Sequence, residues 1–249
     1  MRVFRCLSIL LCALALTTPG ARAESGDFDD WSAVIIAGDW TDSRGRPIQA
    51  FDNALRDLTA AFEQAGFDPE LTAAYSLRPD GGVSVRTAIE GATTVARRGS
   101  GGCLVYFTSH GAPGEIVFGP GGQLEPGPMN ALIGSWCGHR PTVVVVSACY
   151  SGSFMGALSR PNRMVITAAR ADRASFGCSE DSDYPYFDGC VIQSLDAATD
   201  FIALAGETQR CVAERERAEG LTPPSEPQVF IGATMQLLMP TLRFQRSPD

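Results

Sequence analysis

An open α/β sandwich, three layers deep around a six-stranded and mainly parallel sheet, is the fold class this sequence predicts. Three observations carry that prediction. Two runs, Cys103 to Thr108 (CLVYFT) and Thr142 to Ser147 (TVVVVS), are continuously β-branched or aromatic, the pattern of strands buried on both faces. Four shorter apolar runs flank them, and amphipathic stretches stand between the runs. Strand alternating with helix implies parallel pairing through right-handed crossovers.

Taken along the chain, Ala33 to Ala37 (AVIIA) is the first expected strand. Gln49 to Ala65 carries apolar residues at helical spacing and stops at Gly66, a good helix stop. A weaker strand follows around Leu71 to Tyr75, then a helix over Val83 to Arg98 ended by Gly99-Ser100-Gly101-Gly102. After the two strong strands, Met164 to Ala168 is the fifth and Gln228 to Gly232 the sixth. Helices are expected around Val191 to Leu204 and Glu207 to Glu219. Gly119 to Gly122 (GPGG) lacks the lysine and preceding strong strand of a phosphate loop and is expected to be a plain turn. No internal repeat interrupts this order, so residues 31–249 are expected to be one domain.

The beginning of the chain predicts export. Arg2 and Arg5 precede an apolar run from Cys6 to Leu16, Pro19 and Gly20 break it, and Ala21-Arg22-Ala23 has the small-x-small form cut by signal peptidase. That run is too short to span a bilayer, which takes ~20 apolar residues. Residues 1–23 are therefore expected to be a cleaved signal peptide, residues 24–30 a flexible acidic segment, and the destination secreted or periplasmic. Removing three arginines leaves 17 basic residues against 28 acidic ones, a net charge of −11. Such a balance argues against nucleic acid and anionic membranes as partners.

Six cysteines remain after cleavage: Cys103, Cys137, Cys149, Cys178, Cys190 and Cys211. None forms a CxxC pair or a Cys/His cluster at zinc spacing, so no metal or cofactor is expected. In an oxidising compartment some should pair, with Cys190–Cys211 the first expectation. If Cys149 stays free, a second thiol must be free as well.

Ligands of open parallel sheets bind outside the carboxyl ends of the strands. The two strongest strands run into Thr108-Ser109-His110-Gly111 and Ser147-Ala148-Cys149-Tyr150-Ser151-Gly152. If those strands are neighbours, His110 and Cys149 leave one rim of the sheet together. A thiol within reach of a base is what nucleophilic catalysis needs. The imidazole would take the thiol proton and later return it to the leaving amine, while the Gly111 and Cys149 N–H groups would hold the oxyanion. The other histidine, His139, lies in a polar turn before a strand rather than after one.

The motifs YFTSHG (Tyr106 to Gly111) and SACYSGSF (Ser147 to Phe154) resemble the histidine and cysteine motifs of the legumain-like peptidases. This is the asparaginyl endopeptidase family, which includes the catalytic subunit of the GPI transamidase and has a caspase-like fold. AVIIAG and ITAARADRASFGC (Ile166 to Cys178) resemble the family's first strand and its fifth strand with the following loop. The resemblance runs from Ser32 to about Gly232.

It implies a cysteine endopeptidase acting on proteins or peptides, with His110 and Cys149 as catalytic dyad and Gly111 as oxyanion donor. Asp42-Ser43-Arg44 best matches the family's Asn that orients the histidine and the Arg that lines the pocket for the residue before the scissile bond (P1). Asp188, in Tyr186-Phe187-Asp188, matches the pocket's acidic residue. Ser147 departs from the family, which has Glu there. Losing that carboxylate while keeping Arg44 would shift the family's Asn preference toward an acidic P1 side chain, or loosen selectivity. A peptide ligase or transamidase using the same acyl-enzyme, and a non-catalytic binding module, are the alternatives within the same fold. A thiol acyltransferase or amidase acting on small molecules, and an inactive disulfide-bonded protein, are the alternatives outside it.

Overall fold

The computed structural model describes residues 26–245. The expected signal peptide lies outside them. In chain order the elements are β1 (Ser32–Ala37), α1 (Ala50–Gln64), β2 (Thr72–Ser76), α2 (Val85–Ala96) and β3 (Cys103–Thr108). A small hairpin sheet follows, of β4 (Gly111–Ala112), β5 (Glu115–Val117) and β6 (Gln123–Leu124), then α3 (Pro126–Cys137) and β7 (Thr142–Ser147). The chain continues through α4 (Met155–Leu158), β8 (Arg163–Thr167), α5 (Tyr186–Leu195), α6 (Phe201–Ala218), β9 (Gln228–Ile231) and α7 (Ala233–Leu238).

The main sheet has the order β2-β1-β3-β7-β8-β9. Every pair is parallel except β8 with β9. Because side chains alternate across a strand, each strand feeds two cores. Ala33, Ile35, Leu104, Tyr106, Val143 and Val145 pack beneath α1, α5 and α6. Val34, Ile36, Val105, Phe107, Val144 and Val146 pack beneath α2, α3 and α4. The expected six-stranded, three-layer architecture is the one found.

Several expectations need correction. The acidic start is not free at its inner end: Phe28 is 1% exposed and stacks on Phe67, with Trp31, Phe201 and Phe244 around it. The aromatic ring outweighs the three aspartates beside it, since burying a Phe side chain contributes roughly 1.5–3 kcal/mol. The helices expected over Val191 to Leu204 and Glu207 to Glu219 are instead α5 and α6, divided at Asp200. Its carboxylate accepts from the N–H groups of Ile202 and Ala203 (both 2.9 Å) and so starts a new helix there. Neither α3 nor the β4–β5–β6 hairpin was expected.

Two disulfides tie elements together, one within a helical layer and one between the sheet and a helix. Cys190–Cys211 joins α5 to α6, as expected, and Cys103–Cys137 ties the start of β3 to the end of α3. Closing loops of 34 and 21 residues stabilises by about 3–4 kcal/mol each on a chain-entropy view. Cys149 and Cys178 are the free thiols among the described residues.

Candidate active site

The site begins with register. Thr108 at the end of β3 lies opposite Ser147 at the end of β7, and the Ser109 N–H still donates to the Ser147 carbonyl (3.0 Å). Adjacent strands lie ~4.8 Å apart, so His110 and Cys149, each two residues past that level, leave neighbouring strands together. His110 packs edge-on against Phe51 of α1, with ring centroids 5.2 Å apart. It therefore turns to the face that α1 covers.

The nucleophile candidate is presented by a strained turn. Tyr150 has φ of 58°, a left-handed conformation that costs a non-glycine residue about 1 kcal/mol or more. The turn is held by the Tyr150 N–H to Arg173 carbonyl (2.8 Å) and Gly152 N–H to Ala169 carbonyl (2.8 Å) bonds. It is also held by buried Ser151, whose Oγ accepts from the Ala169 N–H (3.1 Å). A Cβ at position 152 would collide with the backbone of Ala169 to Ala171, so only glycine lets the chain turn this close to β8. Cys149 Sγ accepts from the Ser175 N–H (3.2 Å) and lies 3.4 Å from the Ser175 carbonyl. Burial pushes its thiol above the ordinary range, and hydrogen bonding from Ser175 partly offsets the rise. At rest the sulfur is therefore a thiol that needs a base.

His110 is oriented by a backbone group. Its Nε2 sits 2.9 Å from the Thr41 carbonyl oxygen. A carbonyl only accepts, so Nε2 is the protonated nitrogen and Nδ1 is the one left to take a proton. Asp42, expected to do this orienting, does not. Its Oδ1 accepts from the N–H groups of Arg44 (2.8 Å) and Arg46 (2.9 Å), and its Oδ2 binds the Arg46 guanidinium (2.7–2.8 Å). Those bonds hold its carboxyl at a pKa of about 2, with the Arg46 N–H contributing most. A short aspartate at the head of a tight turn is captured by the turn's own N–H groups, and this removes it from the histidine.

The Gly111 N–H is not used by the hairpin. The His110 carbonyl accepts from the Val117 N–H (2.9 Å), which makes Gly111–Ile116 the non-hydrogen-bonded pair of the hairpin and leaves the Gly111 N–H outside that ladder. A Cβ at 111 would strike the Cys149 carbonyl oxygen, so glycine is what permits the close approach of the two strand ends.

The expected P1 residues divide. Arg44 is on an exposed turn, and Arg46 beside it bridges Asp42 to Glu180 (2.7 Å each). Ser147 is 2% exposed and Asp188 not at all, so neither presents a side chain to solvent as assigned. Instead Asp188, projecting from α5, takes hydrogen bonds from Tyr106 (2.5 Å), Thr108 and Ser147. Burial raises its carboxyl to about 6, against the pull of those three hydroxyls.

An acid whose pKa is higher folded than unfolded holds its proton more tightly in the native state. Stability is then greatest below the ordinary carboxylate value of ~3.9 and falls as pH rises through about 6. For Asp188 the fall is roughly 2–3 kcal/mol between about pH 4 and pH 7. Asp188→Asn should flatten the pH dependence of urea-unfolding stability by that amount. An unchanged slope would show that the Asp188 carboxyl titrates alike in the folded and unfolded chain.

A thiol and an imidazole at matched ends of adjacent parallel strands, with a spare N–H beside them, form a constellation for acyl transfer. With the fold, it defines a cysteine peptidase of the caspase-like clan. The fold is similar to that of caspase-1 from Spodoptera frugiperda, with a TM-score of 0.58 at 12% identity over 83% of this chain and 88% of that one. The model of the peptidase C13 family matches residues 85–208, a span that includes both motifs. No curated protein matches. The chain belongs to the peptidase C13 family, the legumain-like cysteine peptidases.

Proposed function

We propose that the chain is an exported endopeptidase that cleaves protein or peptide substrates after Asp- or Asn-type residues, through a thioester on Cys149. His110 Nδ1 takes the thiol proton as Sγ attacks the scissile carbonyl, and the Gly111 N–H donates to the oxyanion. Collapse of the tetrahedral species breaks the C–N bond, and the same nitrogen gives its proton to the leaving amine. Water, activated by His110, then hydrolyses the thioester. The observation that carries this reading is the pairing of β3 with β7 residue for residue up to Thr108 and Ser147, together with the fixed tautomer of His110.

The P1 preference is supported by charge. Ser147 brings no carboxylate to the pocket wall, and Asp188, the remaining acid, is buried and carries a pKa of about 6. Arg44 and Arg46 both sit on the loop that follows β1. An acidic P1 side chain meets less repulsion here than in a pocket with two exposed carboxylates. Export is supported by the two disulfides, which persist in oxidising compartments.

A panel of fluorogenic peptides differing only at P1 tests the reading. The expected order places Asp at or above Asn, with the advantage of Asp growing as pH falls through 6 and Asp188 gains its proton. Cleavage after Arg or Lys, with none after Asp or Asn, would overturn the pocket assignment.

A further inference from the structure

A carbonyl oxygen holds an imidazole only as firmly as the residue that carries it is held. The far side of the Thr41 carbonyl is fixed by the Asp42 N–H to Arg46 carbonyl bond (2.8 Å), and the near side, Thr41 itself, by one side chain. Asp39 Oδ1 accepts from the Trp40 N–H (2.6 Å), the Thr41 N–H (3.1 Å) and the Thr41 hydroxyl (3.1 Å). Asp39 is 6% exposed, so little water competes for that oxygen. Its own backbone is anchored by the preceding Gly38, which donates to the Thr108 carbonyl and accepts from Gly119 (both 2.9 Å). Beyond Thr41 the loop is closed by the Thr41–Pro47 bridge and by the Ile48 N–H to Trp40 carbonyl bond (2.9 Å).

We infer that Asp39 is the positioning residue for His110. It acts through Thr41, fixing the carbonyl that holds Nε2 so that Nδ1 stays turned toward the thiol. The inference goes beyond the dyad but rests on it. It also separates the work of two aspartates three residues apart: Asp42 shapes the turn that carries Arg44 and Arg46, and Asp39 serves the histidine. Removing the Asp39 carboxylate frees three donors at once, two of them on the residue whose carbonyl orients the ring. Misplacing a catalytic group by ~1 Å can cost about 100-fold in rate.

The test measures two quantities in Asp39→Ala, Asp39→Asn, His110→Ala and the Asp39→Ala/His110→Ala double variant. One is kcat and KM on a cleaved peptide. The other is the rate of alkylation at Cys149 by iodoacetamide at neutral pH, read by peptide mapping so that Cys178 is counted separately. Asp39→Ala should lower kcat and Cys149 alkylation together by ~10–100-fold, with KM little changed. Asp39→Asn keeps an oxygen acceptor and should recover most of the loss. In the His110→Ala background Asp39→Ala should add nothing, because the group it positions is gone.

An equal further loss in that background would make Asp39 a merely structural residue and overturn the inference, as would wild-type rates in Asp39→Ala. If His110→Ala alone alkylates at the wild-type rate, the dyad itself fails, and the inference falls with it. Should circular dichroism show Asp39→Ala misfolded, Asp39→Ser, which keeps one acceptor, replaces it and should fall between wild type and His110→Ala.

Discussion

Cys149→Ala is expected to abolish peptide hydrolysis, a loss on the order of a millionfold if the thiol acts as one unit with its base. The sulfur is the only atom of this side chain able to form the thioester. No neighbouring group substitutes for it: Ser147 is buried and donates to Asp188, Ser151 is spent on the Ala169 N–H, and burial holds the nearby Cys178 thiol well above its ordinary range. The fold should survive. Ala leaves the Ser175 N–H without its 3.2 Å sulfur acceptor, a loss of about 1 kcal/mol for a neutral hydrogen bond at the edge of a loop. The measurement is hydrolysis of an Asp- or Asn-terminated fluorogenic peptide, paired with covalent labelling by a probe bearing the same P1 group. Wild-type protein should label at Cys149, and the variant should neither label nor turn over while keeping its far-UV spectrum. Substantial turnover by the purified variant would remove the thioester from the mechanism.

The parts of this molecule that the sequence announces are those where one residue type has one physical use. A run such as TVVVVS has few fates other than a strand covered on both faces, and β7 runs over the predicted residues. Glycine beside a histidine or a cysteine marks backbone crowding, and a Cβ at Gly111 or Gly152 meets backbone from the next segment. The elements that escaped notice carry mixed signals. Helix α3 contains two prolines and two glycines in twelve residues (PGPMNALIGSWC), which reads as loop until Met129, Ile133 and Trp136 are seen packed under the sheet. The β4–β5–β6 hairpin has strands of two or three residues, too short for alternation to register.

The histidine's partner was invisible for a different reason. It is a backbone carbonyl, and every residue has one. The resemblance points to Asp42 because the family places a side chain near that offset, yet in a loop about two residues shorter the aspartate's nearest donors are the amides of its own turn. Asp39 carried a weak signal, an acid directly after the first strand, with no spacing rule to raise it above a loop residue. Asp188 was found by resemblance, but that it is fully buried and meets the β3 and β7 side chains Thr108 and Ser147 follows only from where α5 packs.

His110→Ala should lower kcat/KM by at least ~100-fold, the contribution general acid–base help usually makes, and the deficit should shrink as pH rises. The sign follows from the sulfur. Burial keeps Cys149 protonated at neutral pH, so without the imidazole only hydroxide is left to take its proton, and hydroxide gains tenfold with each pH step. Alkylation of Cys149 should accordingly be slow in the variant at neutral pH and approach the wild-type rate in alkaline solution. Hydrolysis should recover less, because the leaving amine still lacks the proton that Nδ1 would return. The fold is expected to hold, since the ring is only half-buried and its losses are one bond to Thr41 and one edge contact with Phe51. A deficit that stays constant across pH would point to lost packing rather than a lost base, and equal rates at every pH would leave His110 outside the chemistry.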